Sequence, residues 1–284
     1  MSIDEVFAAY RNLRSRTEAF AALGARLGAP EGLIDPAVRE ALDDVLAAAG
    51  IPNLGELTSQ QRAMIAEMVS SSFRQAGSII EEVTAKPGWE HTDPEILDGQ
   101  GRASTNLIPH IADLVGAAQM RSFLDVGTGV GLLAIAAAQR WPDATVVGID
   151  MWEPALERAR ENVAAAGLVD RVEIRHQDIS NLDESDRYDC AFIPAVFLPV
   201  TVLATVVARV VDAMRLGGLA CIAVFREPQD PLIAATQALR VVRDCGAAHS
   251  IDSVIELCRS VGIDATLLNP GSTLPVAFVG ARVA

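Results

Sequence analysis

The chain has 284 residues, is 50% hydrophobic and carries a formal net charge of −14. The hydrophobic share is enough for a sizeable core and excludes disorder as the global state. The charge excludes a surface built to wrap DNA or RNA, which needs Lys and Arg clustered against phosphate. Arginines here are scattered and lysine is nearly absent. Residues near the start include Asp4 and Glu5 and no apolar run, so no secretory signal is expected. The longest apolar stretch, 199–211, is broken by Thr201, Thr205 and Arg209, so no membrane span is expected, and a cytoplasmic protein is. Cys190, Cys221, Cys245 and Cys258 lack CxxC spacing and read as small buried hydrophobes.

In chain order, residues 1–112 read as helical. One helix covers 4–23. A second follows Asp35-Pro36, an N-cap with proline in the first turn, and stops at Gly50. A third opens at Thr58 and runs to about 84. Residues 86–104 are rich in Gly and Pro and read as a loop holding Trp89 and His91.

From 122 onward, strands alternate with helices. Strands are expected at 122–127, 145–150, 171–178, 188–194 and 219–225, with helices at 132–140, 153–166 and 200–215. Gly217-Gly218 reads as a break before the fifth strand. Such alternation calls for a parallel sheet. Segments 264–270 and 275–283 read as two further strands joined by a short turn, hence an antiparallel hairpin. The expectation is an α/β protein. It has a Rossmann-like, seven-stranded, mostly parallel sheet over 113–284 and an all-helical cap or dimerisation region over 1–112.

Three motifs fall at expected strand ends. The first is DVGTGVG, 125–131, where Asp125 precedes Gly127, Gly129 and Gly131. Glycines there permit a tight turn and close approach of a ligand to the backbone, although a plain strand-to-helix turn also uses them. The second is Asp150, which can accept from both hydroxyls of a ribose, or else cap the following helix. The third is Asp178, able to accept from an adenine amino group beside the apolar Ile179, or else to serve as a turn residue. Together, three neighbouring strand ends line one crevice, where open parallel sheets place ligands.

In FLDVGTGVG (123–131), VVGID (146–150), QDI (177–179), YDCAFIP (188–194) and LGGLACIAVF (216–225), the chain resembles the class I S-adenosylmethionine-dependent methyltransferases. The resemblance spans about 113–284 and implies S-adenosylmethionine as cofactor, with S-adenosylhomocysteine as product. It assigns Asp125, Gly127, Gly129 and Gly131 to the methionine end, with Pro194 beside the site. Asp150 goes to the ribose, Met151 beside the adenine, and Asp178 and Ile179 to the adenine. A nicotinamide-dependent dehydrogenase is disfavoured, because the acid precedes the glycines and the pattern is not GxGxxG.

After the fourth strand, nucleic-acid amino methyltransferases of this fold often carry Asn or Asp before Pro-Pro-Tyr. This chain has Pro194-Ala195-Val196-Phe197. A small-molecule acceptor, apolar or aromatic and biosynthetic, is therefore expected, methylated on O, N or C, with no nucleic acid or membrane partner. Trp89, Val196 and Phe197 are candidates for its pocket, and 86–104 for a lid. His91 and His249 are the candidate general bases, since imidazole suits neutral pH. No metal site is expected. A homodimer through the N-terminal helices is a further expectation. Two alternatives stay open: a peptide- or protein-modifying methyltransferase, and a non-catalytic member that keeps the cofactor.

Overall fold

A computed structural model describes residues 2–283 except Glu31, Pro52, Ala85, Glu90, Ala117, Ala118, Gly246 and Ala247. Of Cys245 it describes the backbone only, so the expectation for that thiol lies outside the described residues. The chain forms two compact units, Met1–Thr84 and Ala85–Ala284.

The first unit holds three helices: α1 (Ile3–Gly28), α2 (Pro36–Ala48) and α3 (Ser59–Glu81). Each start is fixed by its sequence. Ser2 with Glu5 and Thr58 with Gln61 form reciprocal capping boxes, and Asp35 accepts from two backbone amides ahead of Pro36. α1 packs on both α2 and α3, with Phe20 against Phe73 at 5.5 Å.

The second unit opens with two helices, α4 (Pro94–Thr105) and α5 (Ile108–Val115). α4 corrects the loop expected over 86–104. Asp93 caps it and Pro94 takes its first turn, the same device as at Asp35-Pro36; the loop proper is 86–93. α4 and α5 belong to the second unit, where both pack on α6.

The sheet runs β3-β2-β1-β4-β5-β7-β6. Its strands are β1 (Ser122–Val126), β2 (Thr145–Asp150), β3 (Val172–His176), β4 (Tyr188–Ile193), β5 (Met214–Phe225), β6 (Thr266–Leu267) and β7 (Val276–Arg282). β1 to β5 are parallel and β7 is antiparallel to both its neighbours. The helices between are α6 (Leu132–Arg140), α7 (Glu153–Ala165), α8 (Val200–Ala213), α9 (Pro231–Cys245) and α10 (Ile251–Ser260).

Two strand expectations need correction. β5 starts at Met214 and continues through Gly217-Gly218, where Gly217 has φ +79°. The register against β4 shifts there, so the glycines absorb an irregularity instead of ending a strand. β6 is two residues long, and Asn269 to Pro275 is a wide connection held by Asn269, whose Oδ1 accepts from the Phe278 amide.

Side chains alternate across the sheet, as strand geometry requires. Leu124, Val126, Ile193 and Ile222 meet α8 and α10 on one face. Phe123, Val146, Phe192 and Phe278 meet α5, α6 and α7 on the other. Burying each such side chain contributes roughly 1.5–3 kcal/mol before entropy is subtracted. Cys190, Cys221 and Cys258 are buried, and burial pushes the Cys190 thiol up to about 12, so it stays a neutral core group. Among the described residues, no helix is long and apolar enough to cross a membrane.

Candidate active site

Strand order reverses between β1 and β4, and the crevice at the carboxyl ends of these strands is where this topology binds ligands. β1 delivers the glycine bend. Gly127, Gly129 and Gly131 have φ of +64°, +54° and +76°, backbone that L side chains rarely adopt. Nothing lies within 4 Å of where a Cβ on Gly129 would sit, so the bend faces open space. Gly131 instead sits against Ala159 of α7, which a Cβ would approach to 3.1 Å.

Asp150, at the tip of β2 and half-buried, uses both carboxylate oxygens. One accepts from the Met151 and Trp152 amides at 2.7 and 2.9 Å; the other accepts from Gly129 N at 2.8 Å. It therefore ties the glycine bend to the tip of β2 and holds the turn into α7, whose N-cap residue, Trp152, supplies no side-chain cap. An ionised oxygen keeps spare acceptor capacity, so a hydroxyl ligand can join these amides. At the next tip, Asp178 caps the short 3₁₀ helix Ile179–Asn181 by accepting from Ser180 N at 2.8 Å. Ile179 is buried beside it, and Met151 is exposed.

Asp125 does not face the crevice openly. It is 2% exposed, on the α6 face of β1, and Thr128 Oγ1 donates to it at 2.7 Å. Burial, and secondarily the Asp150 charge, push its carboxyl up to about 7, against the Thr128 hydrogen bond and the Ala134 amide. Thr128 itself fills the space above Gly148 in β2: a Cβ there would meet its Oγ1 at 2.6 Å.

Gly88, Trp89 and His91 lie across the rim beside these tips. Gly88 N donates to Arg243 O of α9 at 2.8 Å. Trp89 lies 5.0 Å from Phe197, in the 3₁₀ turn Ala195–Phe197 after β4, and edge-on to His91 at 4.9 Å. The Trp152 indole donates to His91 O at 2.9 Å, and His91 Nε2 lies 3.7 Å from Asp244 Oδ1 of α9. Pro194 packs against Gly127, and Val196 is buried. His249 Nε2 is 2.9 Å from Leu198 O, which ties the start of α10 to the same turn.

Residues 123–218 match the family model described as a methyltransferase domain. By this match, the chain carries a methyltransferase domain. By sequence, it is 35% identical over 75 residues to a tRNA1(Val) (adenine(37)-N6)-methyltransferase of Vibrio campbellii, a match covering 26% of this chain and 31% of that one. The chain thus spans about a third of the curated relatives it matches. By fold, it is similar to an O-methyltransferase family protein from Burkholderia thailandensis, with TM-score 0.68 and 17% identity over 100% of this chain and 98% of that one. It is also similar to human N-acetylserotonin methyltransferase solved with S-adenosylmethionine, with TM-score 0.65 and 14% identity over 99% and 98%.

Within the methyltransferase domain, the structure brings Gly127, Gly129, Asp150, Asp178, Ile179 and Pro194 to adjacent strand ends. It joins Trp89, His91 and Phe197 in one aromatic group. Sequence reasoning missed four supports. Trp152 and Asp244 hold His91, Thr128 holds Asp125, and Asn162 Nδ2 donates to Val130 O under the bend. Gly148 was the legible signal: a glycine inside a strand marks a close approach, here of Thr128.

Proposed function

We propose that the protein is a methyltransferase that moves the methyl group of S-adenosylmethionine to an oxygen of a small aromatic acceptor. The single observation behind this is the meeting of a left-handed glycine bend and the Asp150 carboxylate at the sheet's switch point. The residues fit the cofactor: open space above Gly129 admits its backbone-hugging portion, Asp150 can accept from ribose hydroxyls, and Asp178 with Ile179 suits an adenine. When bound, the cofactor supplies a methyl group made electrophilic by a sulfonium.

The chain's own residues supply the rest. Trp89 and Phe197 offer aromatic faces that orient a flat acceptor and exclude water. His91 takes the acceptor's hydroxyl proton, and Asp244 steadies the imidazolium that results. His249 is the less suited base, because its Nε2 already meets the Leu198 carbonyl. The O-methyltransferase and N-acetylserotonin methyltransferase names of structural neighbours support this substrate class. A tRNA acceptor, suggested by the curated relatives' names, is opposed by the net charge of −14 and by Pro194-Ala195-Val196-Phe197 after β4. Exposed Ile3, Phe7, Tyr10 and Leu13 along one face of α1 support dimerisation through the N-terminal helices.

Titration calorimetry with S-adenosylmethionine and S-adenosylhomocysteine tests the cofactor. A mass-spectrometric screen of phenolic, indolic and peptide acceptors, reading a gain of one methyl, tests the chemistry. No binding of either cofactor form would refute the proposal, and methylation of peptides alone would refute the acceptor class.

A further inference from the structure

The base and the ribose acid proposed above stand on different segments, and one side chain joins them. His91 is held from three directions. Its carbonyl accepts from the Trp152 indole at 2.9 Å, its Nε2 lies 3.7 Å from Asp244 Oδ1 of α9, and its ring meets Trp89 edge-on at 4.9 Å. Of these three partners, Trp152 is the one bonded to the ribose acid. Its amide donates to Asp150 Oδ1 at 2.9 Å, and the other oxygen of that carboxylate accepts from Gly129 in the bend. The two bonds leave opposite ends of one residue. The indole between them is half-buried and packs against Leu97 of α4, Val130 of the bend and Ala155 of α7. A packed ring has few rotamers to move into, so a shift of the Trp152 main chain passes to the His91 carbonyl instead of being absorbed.

We propose that Trp152 is a positioning residue for the base. A ligand that engages Asp150 fixes the Trp152 main chain, and the indole N–H carries that order to the main chain of His91, so the imidazole is set for proton transfer as the cofactor arrives. This deepens the cofactor and base readings and rests on both. Position matters here because a misplacement of about 1 Å can cost about 10²-fold in rate. The coupling is mutual: whatever orders His91 also tightens the ligand at Asp150.

The experiment follows two NMR signals while S-adenosylhomocysteine is added. One is the His91 ring, identified by its loss in His91→Gln among four histidines; the other is the Trp152 indole N–H among three tryptophans. In wild type both should move with one midpoint, and exchange of the Trp152 indole proton with solvent should slow. Trp152→Phe keeps an aromatic ring and loses the donor. It should still bind S-adenosylhomocysteine, but its His91 signal should no longer follow the ligand. On an acceptor found by the screen above, Trp152→Phe should lower kcat roughly 10- to 100-fold with KM for the acceptor held. The double variant with His91→Gln should be no slower than His91→Gln alone, because two residues acting as a unit do not lose rate twice. If Trp152→Phe fails to fold, Trp89→Phe and Trp141→Phe assign the Trp152 signal by elimination, and the wild-type titration decides. A Trp152 indole signal unmoved at saturation would overturn the proposal. So would a His91 signal that follows the ligand equally in Trp152→Phe, or rate losses that multiply in the double variant. His91→Gln with wild-type kcat would instead refute the base assignment, and absence of binding the cofactor reading, each taking this inference with it.

Discussion

Asp150 offers the sharpest test, because Asn and Ala should fail differently. The wild-type carboxylate accepts three backbone amides, Gly129 N on one oxygen and Met151 N and Trp152 N on the other. Asn keeps one oxygen, so it can serve Gly129 or the α7 start, while its NH₂ then faces an amide donor. Ala serves neither. Loss of the bonds that hold the turn into α7 costs about 1 kcal/mol, and a half-exposed charged hydrogen bond to Gly129 adds about 1.5 kcal/mol at the low end of its range. Asp150→Ala should therefore lose roughly 2–3 kcal/mol of stability and Asp150→Asn roughly 1–2 kcal/mol by the same terms, read as urea midpoints with unchanged slope. Cofactor affinity falls further in both. A lost charge-assisted ribose contact of about 1.5–3 kcal/mol weakens binding roughly 10- to 150-fold. Asp150→Asn that is folded yet binds S-adenosylhomocysteine like wild type would refute the ribose assignment. Asp150→Ala with wild-type stability would refute its hold on the turn into α7 and the tie to Gly129.

Gly148→Ala should cost roughly 1–3 kcal/mol by overpacking against Thr128, measured by thermal unfolding. Gly101→Leu should push α4 off Val130, which a Cβ at 101 already meets at 2.5 Å, lowering both stability and cofactor affinity in calorimetry. His91→Gln should lower kcat on a hydroxyl acceptor by about 10²-fold or more while leaving S-adenosylhomocysteine affinity unchanged. Asp125, raised from 3.8 to about 7 by burial first, binds a proton more tightly folded than unfolded. Its stabilising contribution is therefore complete below about pH 4 and is lost as pH rises through about 7. Asp125→Asn should remove that decline, so the gap between variant and wild type in unfolding free energy should change over that window and be flat above it.

Much of the fold is written in short-range pattern. Apolar strands such as 145–150 followed by helices announce a parallel sheet, and the acids at the ends of β1, β2 and β3 announce its rim. What escaped has physical reasons. α4 hid because Gly99, Gly101 and Pro94 weigh toward a loop, while its stability comes from docking on α6, a tertiary effect. β5 ran through Gly217-Gly218 because pairing with β4 on one side and β7 on the other outweighs glycine's entropy. The pairing of His91 with Asp244 joins residues distant in sequence, and no local spacing encodes it. Asp150 was legible as a single acid with two competing readings; the structure shows it tethering the glycine bend and holding the turn into α7 at once, which neither reading required.

The placement of the three tryptophans has a practical side. α6 runs from the glycine bend to the far end of the sheet, where Trp141 stacks on Phe123 at 5.8 Å, remote from the rim. Trp89 and Trp152 instead grip either side of His91. Indole emission thus divides into a distant reference and two local sensors. Single Trp→Phe replacements would separate them, letting intrinsic fluorescence follow ligand arrival at the rim without any attached dye.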